Sequence, residues 1–79
     1  MKIFRLYGTS ACHLCELAEG MIAAQSADVG SVEVERVDIS STDALFQRYG
    51  LVIPVLQHPD GRELYWPFAA QQLDAFLRS

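Results

Sequence analysis

The sequence predicts an α/β domain in which strand, helix, strand, helix, strand, strand and helix follow one another in that order. Three observations carry this. A short apolar run, Lys2–Tyr7, is followed by a turn and then by a helical pattern carrying both cysteines of the chain. A second alternating run, Val32–Ile39, completes a strand–helix–strand unit, whose two strands should lie parallel with a right-handed crossover. His58-Pro59-Asp60-Gly61 then has the composition of a reverse turn, so the runs on either side of it should pair antiparallel.

In the first strand Phe4 and Leu6 point one way and Ile3 and Tyr7 the other, the pattern of an interior strand covered on both sides. Gly8 is expected to supply a backbone angle that other residues resist. The helix runs from Cys12 to about Asp28, with Leu14, Leu17, Ala18, Met21, Ile22 and Gln25 on one stripe. Gly20 interrupts it at a cost of up to about 1 kcal/mol relative to Ala; no reason for it is visible in the sequence, close packing on a strand being one candidate. In the second strand the alternation slips by one at Arg36, which requires a bulge or a change in which face is covered. Ser40, Ser41 or Thr42 caps a short helix, Asp43–Tyr49, with Leu45, Phe46 and Tyr49 inward and Gly50 as its stop. Leu51–Gln57 is the third strand, Arg62–Trp66 the fourth, Trp66-Pro67-Phe68 a connector, and Ala69–Leu77 the last helix with Leu73, Phe76 and Leu77 on its core face.

The 79 residues make one domain, 1–79, near the lower size limit for a self-sufficient core. No apolar run approaches the ~20 residues of a membrane span, and the early charge at Arg5 does not suit a secretory signal. A cytoplasmic protein is expected. The net charge is −4 and the six Lys and Arg residues are scattered, so neither nucleic acid nor an anionic membrane is an expected partner. In a reducing compartment the two cysteines would be thiols most of the time. As a structural staple their four-residue loop would contribute only about 2 kcal/mol and tie nothing distant together.

Their placement is that of reactive groups. The first N–H groups of a helix lack internal partners, and that end carries roughly half a positive charge. A sulfur there is stabilised as thiolate, the nucleophilic form. Cys12 falls at or beside the N-cap, and Cys15, three residues on, shares its face. Cys12 is therefore the expected nucleophile, and Cys15 the deeper thiol that resolves the mixed disulfide. His13 is a candidate modulator of the thiolate, against the alternative of a solvated residue turned away from the sulfurs. Pro54 cannot donate a ladder bond, so it marks a strand start, a bulge or a cis bond. A cis Ile53–Pro54 bond would present the backbone of Ile53 to an extended substrate.

With Tyr7-Gly8-Thr9-Ser10-Ala11-Cys12-His13-Leu14-Cys15-Glu16 and Ile53-Pro54 in place, the chain resembles the glutaredoxin-like form of the thioredoxin fold, in particular a small bacterial glutaredoxin-like family. The resemblance implies a four-stranded mixed sheet with helices on both faces. It also implies thiol–disulfide oxidoreductase activity, with Cys12 attacking a disulfide and Cys15 resolving. Ile53 and Pro54, the latter as cis-proline, would contact substrate. The partner would be a disulfide-containing protein or a small-molecule disulfide, the protein a monomer, and no cofactor tightly bound. Glutathione is one candidate reductant, although its usual contacts are altered at Ser10, at Val52-Ile53 and around Trp66-Pro67-Phe68-Ala69, and His13-Leu14 replaces the usual Pro-Tyr between the cysteines. Two other functions fit the same residues. One is a non-catalytic interaction domain. The other is a metal or iron–sulfur module in which His13 or His58 joins the two thiolates, although four ligands are normal for zinc and no second Cys pair exists.

Overall fold

The strand–helix–strand opening builds the middle of the molecule, and everything later is added to one edge of it. The computed structural model describes all of residues 1–79. Strand β1 (Lys2–Gly8) lies parallel to β2 (Val32–Asp38), from Lys2 opposite Val32 to Gly8 opposite Asp38, with helix α1 (His13–Val29) as the crossover. Strand β3 (Val55–Gln57) pairs antiparallel with the other side of β1, and β4 (Glu63–Tyr65) antiparallel with β3. The sheet order is β2-β1-β3-β4. Helices α2 (Asp43–Tyr49) and α3 (Ala70–Arg78) complete the order expected from the sequence, β-α-β-α-β-β-α.

Alternation along the strands divides the apolar residues between two unequal cores. Phe4 and Leu6 of β1 and Leu56 of β3 meet Ala18 and Ile22 of α1, Leu73 and Leu77 of α3, and Phe68 in the larger one. Tyr7, Val55, Ile39 and Tyr49 form the smaller one under α2. Helix α2 has only seven residues and covers only part of its face. Ile3, on that same face, is consequently half exposed, so β1 is interior but not buried on both sides along its whole length. The slip at Arg36 has the same origin. The β1–β2 register runs unbroken, without a bulge. Val32 and Val34 serve the larger core and Val37 the smaller, so the slip marks the change of covered face.

Other expectations need correction. The inner face of α1 is Cys15, Ala18 and Ile22, with Met21 beside it, while Leu14 and Leu17 are half exposed. The helix is turned by about one residue from the expected stripe, because the side that carries the buried sulfur faces the sheet. Gly20 is exposed and has nothing within 4 Å of a built Cβ, so close packing does not explain it. In α2, Leu45 and Tyr49 stand four apart and turn inward together, and Phe46, about 100° away, is exposed. Leu51–Ile53 are not strand. The N–H groups of Val52 and Ile53 donate to the Tyr49 carbonyl at 3.0 and 3.2 Å, so this stretch wraps the end of α2, and β3 begins only at Val55.

The local stops are the expected ones. Thr42 Oγ1 accepts the Leu45 N–H at 3.1 Å and caps α2. Asp38 accepts the Ser40 N–H at 2.9 Å and starts a single 3-10 turn, Ile39–Ser41. The Gly61 N–H donates to the His58 carbonyl at 2.9 Å, and Gly61 takes φ 99°, a conformation costly for other residues. His58 itself is buried edge-on against Phe4 and Phe76. Its Nδ1 accepts the Asp60 N–H at 3.1 Å, so Nε2 carries the proton and donates to the Ser79 backbone oxygen at 2.8 Å. That work ties the β3–β4 turn to the end of α3, and His58 is not directed at the cysteines.

A polar hub locks β4 to α2. Glu63 Oε2 accepts the Tyr49 hydroxyl at 2.5 Å and lies 3.5 Å from Arg48, and Oε1 accepts the Tyr65 hydroxyl at 2.7 Å. Burial works to raise the Glu63 carboxyl, but the two hydroxyls and the guanidinium outweigh it and hold it below the usual carboxylate range. Burial, and then the bond to Glu63, push the Tyr49 phenol up to about 12. A depressed carboxyl stabilises the fold above its unfolded pKa of about 4.3, and that stability is lost as pH falls through the folded value. A raised phenol stabilises below its unfolded pKa of about 10, and that stability is lost as pH rises towards about 12. Glu63→Gln should therefore lower urea-unfolding stability at pH 7 by about 1–3 kcal/mol and reduce the further loss between pH 7 and pH 3. Tyr49→Phe should shrink the alkaline loss. Urea melts across pH check both.

Candidate redox site

The end of β1 delivers the chain to Thr9-Ser10-Ala11, and Cys12 is the N-cap of α1, with extended backbone (φ −114°, ψ 105°). Its Sγ accepts the Cys15 N–H at 3.1 Å, taking the place a serine or aspartate oxygen holds at many N-caps. Cys12 and Cys15 form a disulfide, with their Cα atoms 5.2 Å apart. Their environments differ: Cys12 is partly exposed, and Cys15 is buried against the sheet. One sulfur within reach of solvent and a second beneath it is an asymmetry that exchange through a mixed disulfide can use.

Gly8 is placed for a reason other than the expected one. Its φ is not positive, so it holds no angle denied to other residues. A Cβ there would instead lie 2.8 Å from Cys15 Sγ and 3.3 Å from Cys15 Cβ. Glycine inside a strand commonly marks such a close approach.

Ile53 and Pro54 stand at the head of β3. The Ile53–Pro54 bond is cis, as is Trp66–Pro67. Carried one residue beyond Tyr7–Val55, the β1–β3 register sets Pro54 opposite Gly8, the position at which a Cβ would meet the Cys15 sulfur. The Pro54 side chain is fully buried, and its carbonyl accepts the Trp66 N–H at 3.2 Å. The Ile53 N–H is taken by Tyr49, whereas its carbonyl accepts no hydrogen bond within the chain. Of the backbone at Ile53, only that oxygen is without a hydrogen-bond partner in the chain.

His13 lies outside this constellation. Its side chain is 80% exposed, and its Nδ1 lies 3.7 Å from Glu16 Oε2, one turn along the same helix. Phe68 belongs to the larger core, and Trp66 packs edge-on against it with centroids 5.1 Å apart. No group of three or more His, Cys, Asp or Glu side chains stands where it could hold a metal ion.

Sequence reasoning missed a hollow of about 210 Å³ between the carboxyl ends of β1 and β2 and the first turns of α1. Gly8, Ser10, Cys15, Glu19, Arg36 and Asp38 line it. Arg36 bridges to Glu19 at 3.1 Å across its side. Hydrogen bonds from the Ser40 hydroxyl and then the Ser40 N–H hold the Asp38 carboxyl below the usual range. Of the two sulfur residues only Cys15 lines it. The one signal available in the sequence was Arg36, the residue at which the strand pattern slips.

A Cys-x-x-Cys disulfide at the N-terminus of the first helix, beside an X-Pro segment that opens an antiparallel strand, defines a dithiol protein of thioredoxin-like fold. The chain belongs to the Glutaredoxin-like domain (DUF836) family, whose family model matches residues 4–78. Two solved structures, an X-ray and a solution structure, of the Northeast Structural Genomics target protein XcR50 from X. campestris are similar to it at 43% identity and a TM-score of 0.79. The X-ray structure aligns over 94% of this chain and 93% of its own, the solution structure over 98% and 92%. No functionally curated protein matches. Membership of this family and the paired cysteines fit a redox role. No helix is long and apolar enough to cross a membrane.

In the reduced protein the difference in burial should appear as a difference in labelling. Iodoacetamide should alkylate Cys12 at least tenfold faster than Cys15 at pH 7, because only a reachable thiolate reacts. Peptide mass analysis over time measures the two rates, and equal rates would contradict the assigned asymmetry.

Proposed function

We propose that the protein is a thiol–disulfide oxidoreductase. The observation that carries this is the Cys12 sulfur at the helix N-cap, partly exposed and within bonding reach of a buried Cys15. In the reduced protein, the helix N-terminus favours the Cys12 thiolate. That thiolate attacks one sulfur of a substrate disulfide, the substrate S–S bond breaks, and the other substrate sulfur leaves as thiolate. Cys15 then gives up its proton and attacks Cys12 Sγ. The mixed disulfide breaks, the second substrate thiolate leaves, and the Cys12–Cys15 disulfide holds the two electron equivalents of oxidation. An external thiol reduces it again by the reverse exchange.

The substrate is a protein disulfide or a small-molecule disulfide, and an extended one would pair with the free carbonyl of Ile53 beside Pro54. Glutathione is the candidate reductant that the family likeness offers, although Ser10, Val52 and the Trp66–Ala69 segment do not reproduce the residues that usually hold it. The protein works as a cytoplasmic monomer without a tightly bound cofactor. His13, exposed beside Glu16, tunes the thiolate only weakly, through solvent.

Substitution of the two cysteines tests the reading. Cys12→Ser should reduce turnover of a disulfide substrate to background, a loss of at least a hundredfold. Cys15→Ser should leave the first attack intact and accumulate a mixed disulfide on Cys12, seen as a mass adduct. Continued turnover by the Cys12→Ser protein would end the assignment.

A further inference from the structure

The space opposite Cys15 is reserved for its sulfur, and one residue reserves it. Gly8 ends β1 with a backbone conformation any residue could adopt. A glycine inside a strand loses side-chain packing and adds entropy to the unfolded chain, so the position is costly unless space is needed. The space needed is specific. A Cβ would stand 2.8 Å from Cys15 Sγ, well inside the roughly 3.5–4.0 Å at which even carbon atoms rest against one another, and sulfur is larger. It would stand 3.3 Å from Cys15 Cβ, close enough to need a small shift only.

We propose that Gly8 is the positioning residue that makes the Cys12–Cys15 disulfide accessible, by leaving the Cys15 sulfur the one place from which it can bond Cys12. The two redox states respond differently to filling that place. In the reduced protein the Cys15 side chain can turn about χ1 to another staggered rotamer, and its sulfur can leave the methyl group. In the oxidised protein the bond to Cys12, itself held as the N-cap of α1, fixes the sulfur where the methyl group would be. A methyl group at position 8 therefore weighs against the disulfide and spares the dithiol. With its resolving sulfur turned aside, the protein would behave as a monothiol device: attack by Cys12 proceeds, and resolution by Cys15 is impeded. This deepens the oxidoreductase reading and rests on it for its consequence, but the equilibrium it concerns exists whether or not the protein turns over a substrate.

The experiment is a comparison of Gly8→Ala with the unaltered protein in glutathione buffers of known thiol-to-disulfide ratio, quenched by alkylation and read by mass. Glutathione serves as the redox probe, two thiols becoming one glutathione disulfide for each protein disulfide reduced. The expected result is at least a tenfold fall in the equilibrium constant for the protein disulfide, which for a two-electron couple is about 30 mV, together with accumulation of the Cys12–glutathione adduct. The control is thermal melting of Cys15→Ala and of the double variant Gly8→Ala/Cys15→Ala, which should melt within a few degrees of each other because the sulfur is gone. Failure of the Gly8→Ala protein to fold even when reduced overturns the proposal, because the dithiol is then not spared; loss of folding only in the oxidised protein, with the double variant folded, supports it. An unchanged equilibrium constant, or an equal loss of melting temperature with and without Cys15, also overturns it and makes Gly8 a backbone feature of the strand. Neither result touches the oxidoreductase reading, which stands or falls on turnover by Cys12→Ser.

Discussion

The seating of the first turn of α1 against the end of β1 is the contact on which the site depends. It is close because the strand presents Gly8 there, where a Cβ would lie 2.8 Å from the Cys15 sulfur. That closeness buries one sulfur and leaves the other at the helix N-cap, where unpaired N–H groups and the helix dipole favour negative charge. The difference between Cys12 and Cys15 is thus a consequence of packing, since the two residues are chemically identical and three positions apart.

The opposite wall of the site depends on a second set of contacts, under the other face of the sheet. Tyr49 ends α2 and holds the following segment from two directions. Its carbonyl accepts the N–H groups of Val52 and Ile53. Its ring stacks on Tyr7 at 4.3 Å, and its hydroxyl reaches Glu63 on β4. The Ile53–Pro54 segment is therefore held between α2 and the sheet, and Pro54 meets the end of β1 at Gly8 by strand register. The smaller core is the reason a seven-residue helix stays in place, since a helix of that length has little stability of its own in water.

The stretches where the sequence was read correctly and those where it was not differ in kind. The element order, the parallel first pair, the turn at His58–Gly61 and the Cys12 cap follow from signals spanning a few adjacent residues, and such signals depend little on what packs against them. The departures concern which face is covered and where a strand begins. Leu14, Leu17 and Phe46 are apolar and helical in spacing, yet lie toward solvent because a neighbouring stripe was chosen by the partner surface. Leu51 and Val52 have strand composition, yet Leu51 is fully exposed because the Tyr49 carbonyl draws the chain round the end of α2. The slip at Arg36 announced a change of face, but how far the second face is covered was decided by the length of α2.

What the sequence determined by itself is the chemistry: a Cys pair at i, i+3 on the first turn of a helix, with a strand before it and an X-Pro segment later in the chain. These follow from local backbone preference and residue type. What only the tertiary structure decided is how those parts meet. The contact of Gly8 with the Cys15 sulfur, the pinning of Ile53 by Tyr49, the Glu63 hub and the hollow beside Arg36 each join residues distant in the chain. Such contacts arise when strands pair and helices choose a face, and these choices minimise exposed apolar surface over the whole domain rather than within any one segment.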